Sequence, residues 1–170
     1  MDWILSRAMP QRGVSISGVC FSDADYADDV ATIEDSPGDV RLTREAFRQV
    51  DGAMRLHVAG DGVEAIGFLR QQGIHAHAPR PDLILLDLNM PRMDGRQVLA
   101  EIKGDEGLKT IPTVILTTSD ADVDVEAVYL LQANCYLTKP VEFEAFESLV
   151  QNISEFWLKN VSLPRQIRSA

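Results

Sequence analysis

"PDLILLDLNMPRMDG", residues 81–95, is the stretch on which the fold reading turns. A run of aliphatic residues ends in a carboxylate at Asp87, and a loop containing Pro91 and Gly95 follows at once. An unbroken aliphatic run of this length predicts a strand covered on both faces, as in a parallel sheet. An acid at the tip of such a strand is either a solvated loop residue or a reactive group. The choice depends on what the rest of the chain brings to that tip.

Composition narrows the field. A chain of 170 residues is long enough for one domain with a proper core and a short appendage. Its 45% hydrophobic and 25% charged content is that of an ordinary soluble globular protein. The longest apolar runs are strand-sized, so no membrane span is predicted. The start, MDWILSRAMPQRG, lacks the basic opening and long apolar stretch of a secretory signal, so a cytoplasmic location is expected. A net charge of −10 argues against wrapping DNA and against anionic membrane surfaces. Cys20 and Cys135 show neither metal-ligand spacing nor a disulfide framework.

Residues 1–27 have weak periodicity and scattered Gly and Ser, and are expected to be a poorly ordered extension. From there a regular alternation begins. Strands are predicted at 30–33, 55–59, 83–87, 113–117 and 135–138. Helices are predicted at 39–50 with Asp39 as cap, 62–72 with Gly73 as stop, 95–103, 122–133, and from about 142 to 160. On the last helix Phe143, Phe146, Leu149, Val150, Ile153, Phe156 and Trp157 recur at three- and four-residue steps. Phe156 and Trp157 extend beyond the length needed to cover the sheet, which suggests a partner, most simply a second copy. The domain is therefore expected over 28–160, with a tail at 161–170.

Five strands alternating with five helices predict an α/β fold with a doubly wound parallel sheet. Sites in such sheets form beyond the carboxyl ends of the strands. Those ends carry Glu34 and Asp35, Asp87, Thr117 and Thr118, and Lys139-Pro140. Like charges held together disfavour their own ionisation unless a cation relieves them. Oxygen-only donors suit a hard ion such as Mg2+, which uses few carboxylates. One carboxylate then stays free as a nucleophile, and phosphoryl transfer to aspartate is chemistry that such a set can support.

At these residues the chain from about 28 to 158 resembles a response-regulator receiver domain of two-component signalling. The motifs are Glu34-Asp35, "DLNMPRMDG" around Asp87, "VILTTS" around Thr117 and "YLTKP" around Lys139. Asp87 and Thr117 are thirty residues apart (117 − 87), and Thr117 and Lys139 twenty-two (139 − 117), as in that family. The resemblance implies a flavodoxin-like sheet of strand order 2-1-3-4-5, with Asp87 as phosphoacceptor. It implies Mg2+ held by Glu34, Asp35, Asp87 and the Asn89 backbone carbonyl. It further implies that Thr117, Thr118 and Lys139 surround the phosphoryl group, and that Tyr136 is a switch aromatic turning inward as Thr117 is drawn to the phosphate. The Lys139–Pro140 bond is expected to be cis, with Pro140 in a structural role. "EDSPGDVRL", "NCYLTKPV" and "EFWLKNVSLP" are also similar to single-domain receivers that partner phytochrome-type sensor histidine kinases.

The resemblance thus implies a stand-alone phosphoryl switch that partners a sensor histidine kinase. It would dimerise through helix four, strand five and helix five together with the C-terminal end. Two alternatives stay open. A Mg2+-dependent hydrolase turning over on Asp87 would need a second acid shortly after the nucleophile, and Asn89 stands two residues on. A degenerate receiver that only binds protein would not need the full reactive set. Two departures from the family bear on local geometry: Gln132 replaces a frequent helix-end Gly, and Thr118 is bulkier than the usual Ala or Gly.

Overall fold

The aliphatic run becomes strand β3 (Leu83–Leu86), with all four side chains buried. Successive strand residues face opposite ways. Leu83 and Leu85 join one core with Val30, Val114 and Leu116, while Ile84 and Leu86 join the other with Ala31, Ile33 and Ile115. The computed structural model describes residues 28–50 and 54–164. The expected extension at 1–27 and the end of the expected tail lie outside them.

In chain order the elements are β1 (Asp28–Ile33), α1 (Pro37–Arg48), β2 (Met54–Ala59), α2 (Gly62–Leu69), β3, α3 (Gly95–Gly104), β4 (Thr113–Thr117), α4 (Asp122–Leu130), β5 (Cys135–Thr138) and α5 (Phe143–Ile153). The sheet is parallel throughout, in the order β2-β1-β3-β4-β5. Helices α1 and α5 cover one face through Ala46, Phe47, Phe146, Val150 and Ile153. The other face is closed by Ala65 and Leu69 of α2, Val98, Leu99 and Ile102 of α3, and Val128 of α4. Among the described residues no helix is long and apolar enough to cross a membrane.

Several boundaries differ from expectation, each for a local reason. Helix α1 is capped by Ser36, whose hydroxyl accepts from the Asp39 amide at 3.3 Å, so Asp39 stands in the first turn and is not the cap. Helix α2 stops at Leu69, before Gln71 in the left-handed region (φ 54°), and a short 3₁₀ turn, Gly73–His75, follows. Helix α4 stops at Leu130, because Gln132 adopts φ 65° and the Ala133 amide closes back on Val128 at 2.9 Å. A side chain there costs more than Gly would, which is why Gly suits such a helix end.

The last helix continues as expected to Asn160, but Ser154–Asn160 is π-helical. The Ser154 hydroxyl donates to the Val150 carbonyl at 2.9 Å, and the Val161 amide reaches back five residues to Phe156 at 3.0 Å. The widened turn brings Trp157 and Leu158 onto the core beneath α1 and α5. Trp157 is therefore not surplus, whereas Phe156 is 56% exposed.

The start of helix α3 packs against the backbone just after β3 because Gly95 permits it. A Cβ there would fall 2.1 Å from the Asp87 carbonyl oxygen and 2.6 Å from the Leu88 Cα. The Asp94 carboxylate accepts from the Arg96 and Gln97 amides, and the Asp94 amide donates to Gln97 Oε1 at 3.0 Å. Gly95→Ala is expected to cost about 2–3 kcal/mol by overpacking. Unchanged stability in chemical denaturation would contradict this seating.

Candidate functional site

Topology reverses between β1 and β3, the position where open α/β sheets form sites. Their register pairs Ile33 with Leu86, and the Asp87 amide donates to the Ile33 carbonyl at 3.1 Å. Glu34 and Asp87 therefore leave neighbouring strands side by side. From the far side, the Lys139 amide donates to the Thr117 carbonyl at 2.7 Å, which extends the β4–β5 pairing by one step.

Lys139 Nζ donates to Asp39 Oδ2 at 2.8 Å, to Asp87 Oδ2 at 2.9 Å and to Glu34 Oε2. Only 7% of the Lys139 side chain, 7% of Asp87 and 5% of Glu34 remain exposed. The Lys139–Pro140 peptide is trans, contrary to the cis expectation. The backbone bond to Thr117 and the four-carbon stem bring the ammonium to the acids without a cis bond, and trans is the cheaper isomer by about 0.5–1 kcal/mol.

One carboxylate oxygen each from Glu34, Asp39 and Asp87 lies within 4.8 Å of the others. Asp35, expected as a ligand, is half-buried and outside that group. Asp39 takes a place in it that the sequence reading had not assigned. Its signal was available in "EDSPGD": a Ser-capped helix following the acidic pair directs its third residue back toward the strand ends.

Burial pushes Glu34 up, and Lys139 only partly offsets this. Burial would also raise Asp87, but the bond and charge of Lys139, with help from Thr117 and the Asn89 amide, bring it below its usual range. For Lys139, burial alone would favour the neutral amine, yet the bonds to Asp39, Glu34 and Asp87 overcome it and hold the ammonium far above its ordinary value. Three carboxylates facing one ammonium leave negative charge in excess. An all-oxygen donor set with that excess suits a hard divalent cation.

The remaining predicted residues surround this group. The Thr117 side chain is fully buried, and the Asn89 amide reaches its hydroxyl at 3.4 Å. The Asn89 backbone N–H donates to Asp87 Oδ1 at 3.1 Å. Tyr136 is half-buried against the core, its hydroxyl donating to the Ser119 carbonyl at 2.8 Å. Thr118 is exposed, and Pro140 is half-buried. A buried, ionised Asp87 held beside a fixed ammonium and a hydroxyl can present an oxygen to an electrophile without first shedding a solvent shell.

Residues 30–151 match the family model described as the response regulator receiver domain. The chain belongs to that family. Among its relatives, the response regulator Rcp1 of Synechocystis sp. is 48% identical over 135 residues, covering 79% of this chain and 92% of that protein. The crystal structure of the phosphorylated cyanobacterial phytochrome response regulator RcpA superposes with a TM-score of 0.79 at 45% identity, covering 82% of this receiver and 99% of that chain. The crystal structure of Mn2+-bound Rcp1 gives 0.77 at 47% identity, over 81% and 99% of the two chains. The narrower likeness to phytochrome-linked receivers, first read from short motifs at either end of the domain, thus extends over most of the receiver.

Proposed function

We propose that Asp87 accepts a phosphoryl group from the phosphohistidine of a sensor histidine kinase, one of phytochrome type, and that the receiver signals through an altered protein-binding surface. The observation that carries this reading is the buried Asp87 carboxylate, kept ionised beside Lys139 and Thr117 within reach of two further acids. An Asp87 oxygen forms the new bond to phosphorus as the bond to the imidazole nitrogen breaks, and the electron pair stays with the imidazole. Lys139 stays protonated throughout and faces the charge on the transferred group, and the Thr117 hydroxyl donates to a phosphoryl oxygen. Glu34, Asp35, Asp87 and the Asn89 backbone carbonyl would hold Mg2+, with Asp39 bearing on the same cluster. When bound, that ion supplies positive charge against the phosphoryl oxygens. The likeness to phosphorylated RcpA and to Mn2+-bound Rcp1 supports this assignment.

A turnover hydrolase fits less well, because Asn89 cannot protonate a leaving group and its amide is already directed at Thr117. Asp87 is thus a self-modifying acceptor, and the chain acts as a switch more than as an enzyme for other substrates. Incubation with a small phosphodonor and Mg2+ is expected to give an alkali-labile acyl phosphate that chelation prevents. An unmodified chain would contradict the reading.

The output surface proposed is α4–β5–α5 with the end of the last helix, used by a second copy of the receiver. Leu130 (78% exposed), Val123 (72%), Val141 (99%) and Phe156 (56%) leave apolar area there. Leu130→Ala with Phe156→Ala is expected to convert a dimer to monomer in sedimentation. Unchanged sedimentation of a dimeric protein would move the interface elsewhere. This reading makes the chain a cytoplasmic partner of its kinase, working without contact to DNA or membrane.

A further inference from the structure

The segment joining β4 to α4, residues 118–121, begins directly after Thr117 and has no regular structure of its own. Helix α4 receives no side-chain bond from its N-cap residue, Ala121. Ser119 supplies one from the loop instead. Its hydroxyl donates to Asp124 Oδ2 at 2.5 Å and accepts from the Ala121 amide at 3.4 Å. The other Asp124 oxygen accepts from Arg96 Nη2, and both side chains are substantially shielded, at 32% exposure for Arg96 and 19% for Asp124. Arg96 follows Gly95, the residue that seats α3 against the Asp87 carbonyl. At the far end, the Ser119 carbonyl accepts the Tyr136 hydroxyl. One continuous polar chain therefore runs from α3, through α4 and the loop, to β5.

We propose that Arg96 and Asp124 are positioning residues of the phosphoryl switch, a latch that holds the β4–α4 loop and Tyr136 in the arrangement that receives the phosphoryl group. The proposal rests on the phosphoacceptor reading of Asp87. An isolated ion pair this close to solvent would be worth little. Here the pair is one link of a network, and its value lies in the order it imposes. A loop already held in place spares the phosphoryl group the cost of ordering it when Thr117 donates to a phosphoryl oxygen, and a smaller competent fraction weakens apparent affinity in proportion. The hydrogen bond from Ser119, then that from Arg96, holds the Asp124 carboxyl below its ordinary range.

The competing explanation is that Arg96 and Asp124 merely fasten α3 to α4. The two are separated by titrating beryllofluoride with Mg2+ into the full chain and into Arg96→Ala, Asp124→Asn and the double variant, while following the Tyr136 ring resonance by NMR. Each single change is expected to weaken beryllofluoride about threefold to tenfold and to move the Tyr136 signal toward that of a solvated ring. The double variant should be no weaker than the poorer single, because both remove the same link. Asp124→Glu, which keeps the charge, should recover part of the affinity. Wild-type affinity with an unmoved Tyr136 signal, whatever the thermal stability, would overturn the latch, as would additive losses in the double variant. Failure of the wild type to bind beryllofluoride at all would instead overturn the phosphoacceptor reading beneath it.

Discussion

Lys139→Met lowers the stability of the cation-free protein by about 3–5 kcal/mol, and Mg2+ restores much of it. Removing one partner of a buried ion pair leaves the other charge uncompensated, and a loss of that size is typical. Here three partners are stranded, because Glu34, Asp39 and Asp87 all pair with this one ammonium. A divalent ion offers the same neutralisation, and at a concentration one hundred times its Kd it stabilises by about 2.7 kcal/mol. The variant is also expected to bind Mg2+ more tightly than the wild type, since the competing lysine is gone, yet to lose the response to phosphorylation. Denaturant titrations with and without Mg2+ measure both effects. A variant as stable as the wild type without Mg2+, or one that Mg2+ does not rescue, would contradict the counter-ion role.

The pH dependence has a definite sign. In the wild type, Lys139 titrates higher in the folded state than unfolded, so its contribution is complete below the ordinary lysine range and is lost only in strong alkali. Without the lysine, desolvation and mutual repulsion raise the carboxyl groups in the folded state. A folded state that binds more protons gains stability as pH falls. Lys139→Met should therefore recover more stability on mild acidification than the wild type, in which Glu34 is raised but Asp87 is held below its usual range.

Asp87→Asn is expected to abolish transfer from a small phosphodonor, a loss of more than about a thousandfold given the role of a nucleophile. The amide keeps the size of the side chain but has neither the charge nor the nucleophilic oxygen. Divalent-cation affinity should also fall, because one of the three clustered carboxylates is gone. The folded-state pKa of Asp87 lies below its usual value, so its stabilising contribution is present above the ordinary carboxylate range and lost as pH falls through the folded value. The asparagine variant should lack that acid-dependent loss. Equal phosphorylation of the variant would place the chemistry on another residue.

Much of this was legible in the sequence, because burial on both faces leaves a plain trace. Leu83–Leu86 and Thr113–Thr117 read as unbroken apolar runs, and once the sheet is parallel, Glu34, Asp87, Thr117 and Lys139 must share an edge. Asp39 was harder to place. Its spacing after "EDSPG" announces a helix start, but the contact that matters is made to a lysine one hundred residues away. Ser36 could cap α1 as well as Asp39 could, and only the backbone path decides between them. Gln132 hid the end of α4, because the left-handed turn expected of Gly is made there by a residue with a side chain. Trp157 belongs to the helical stripe but reads as surplus to the sheet, because helical spacing does not show the π turn at Ser154–Asn160 that seats it on the core. The Arg96–Asp124–Ser119 chain had no signature at all, because its members are ordinary polar residues until the loop brings them together.

The central claim is that the carboxylate at the tip of β3 becomes an acyl phosphate. Borohydride reduction of the protein after treatment with a phosphodonor and Mg2+, followed by peptide sequencing, tests it most directly. Homoserine at position 87, and unchanged aspartate there when Mg2+ is chelated, is the predicted result. Homoserine at Asp35, Asp39 or any other acid, with position 87 left intact, would contradict it.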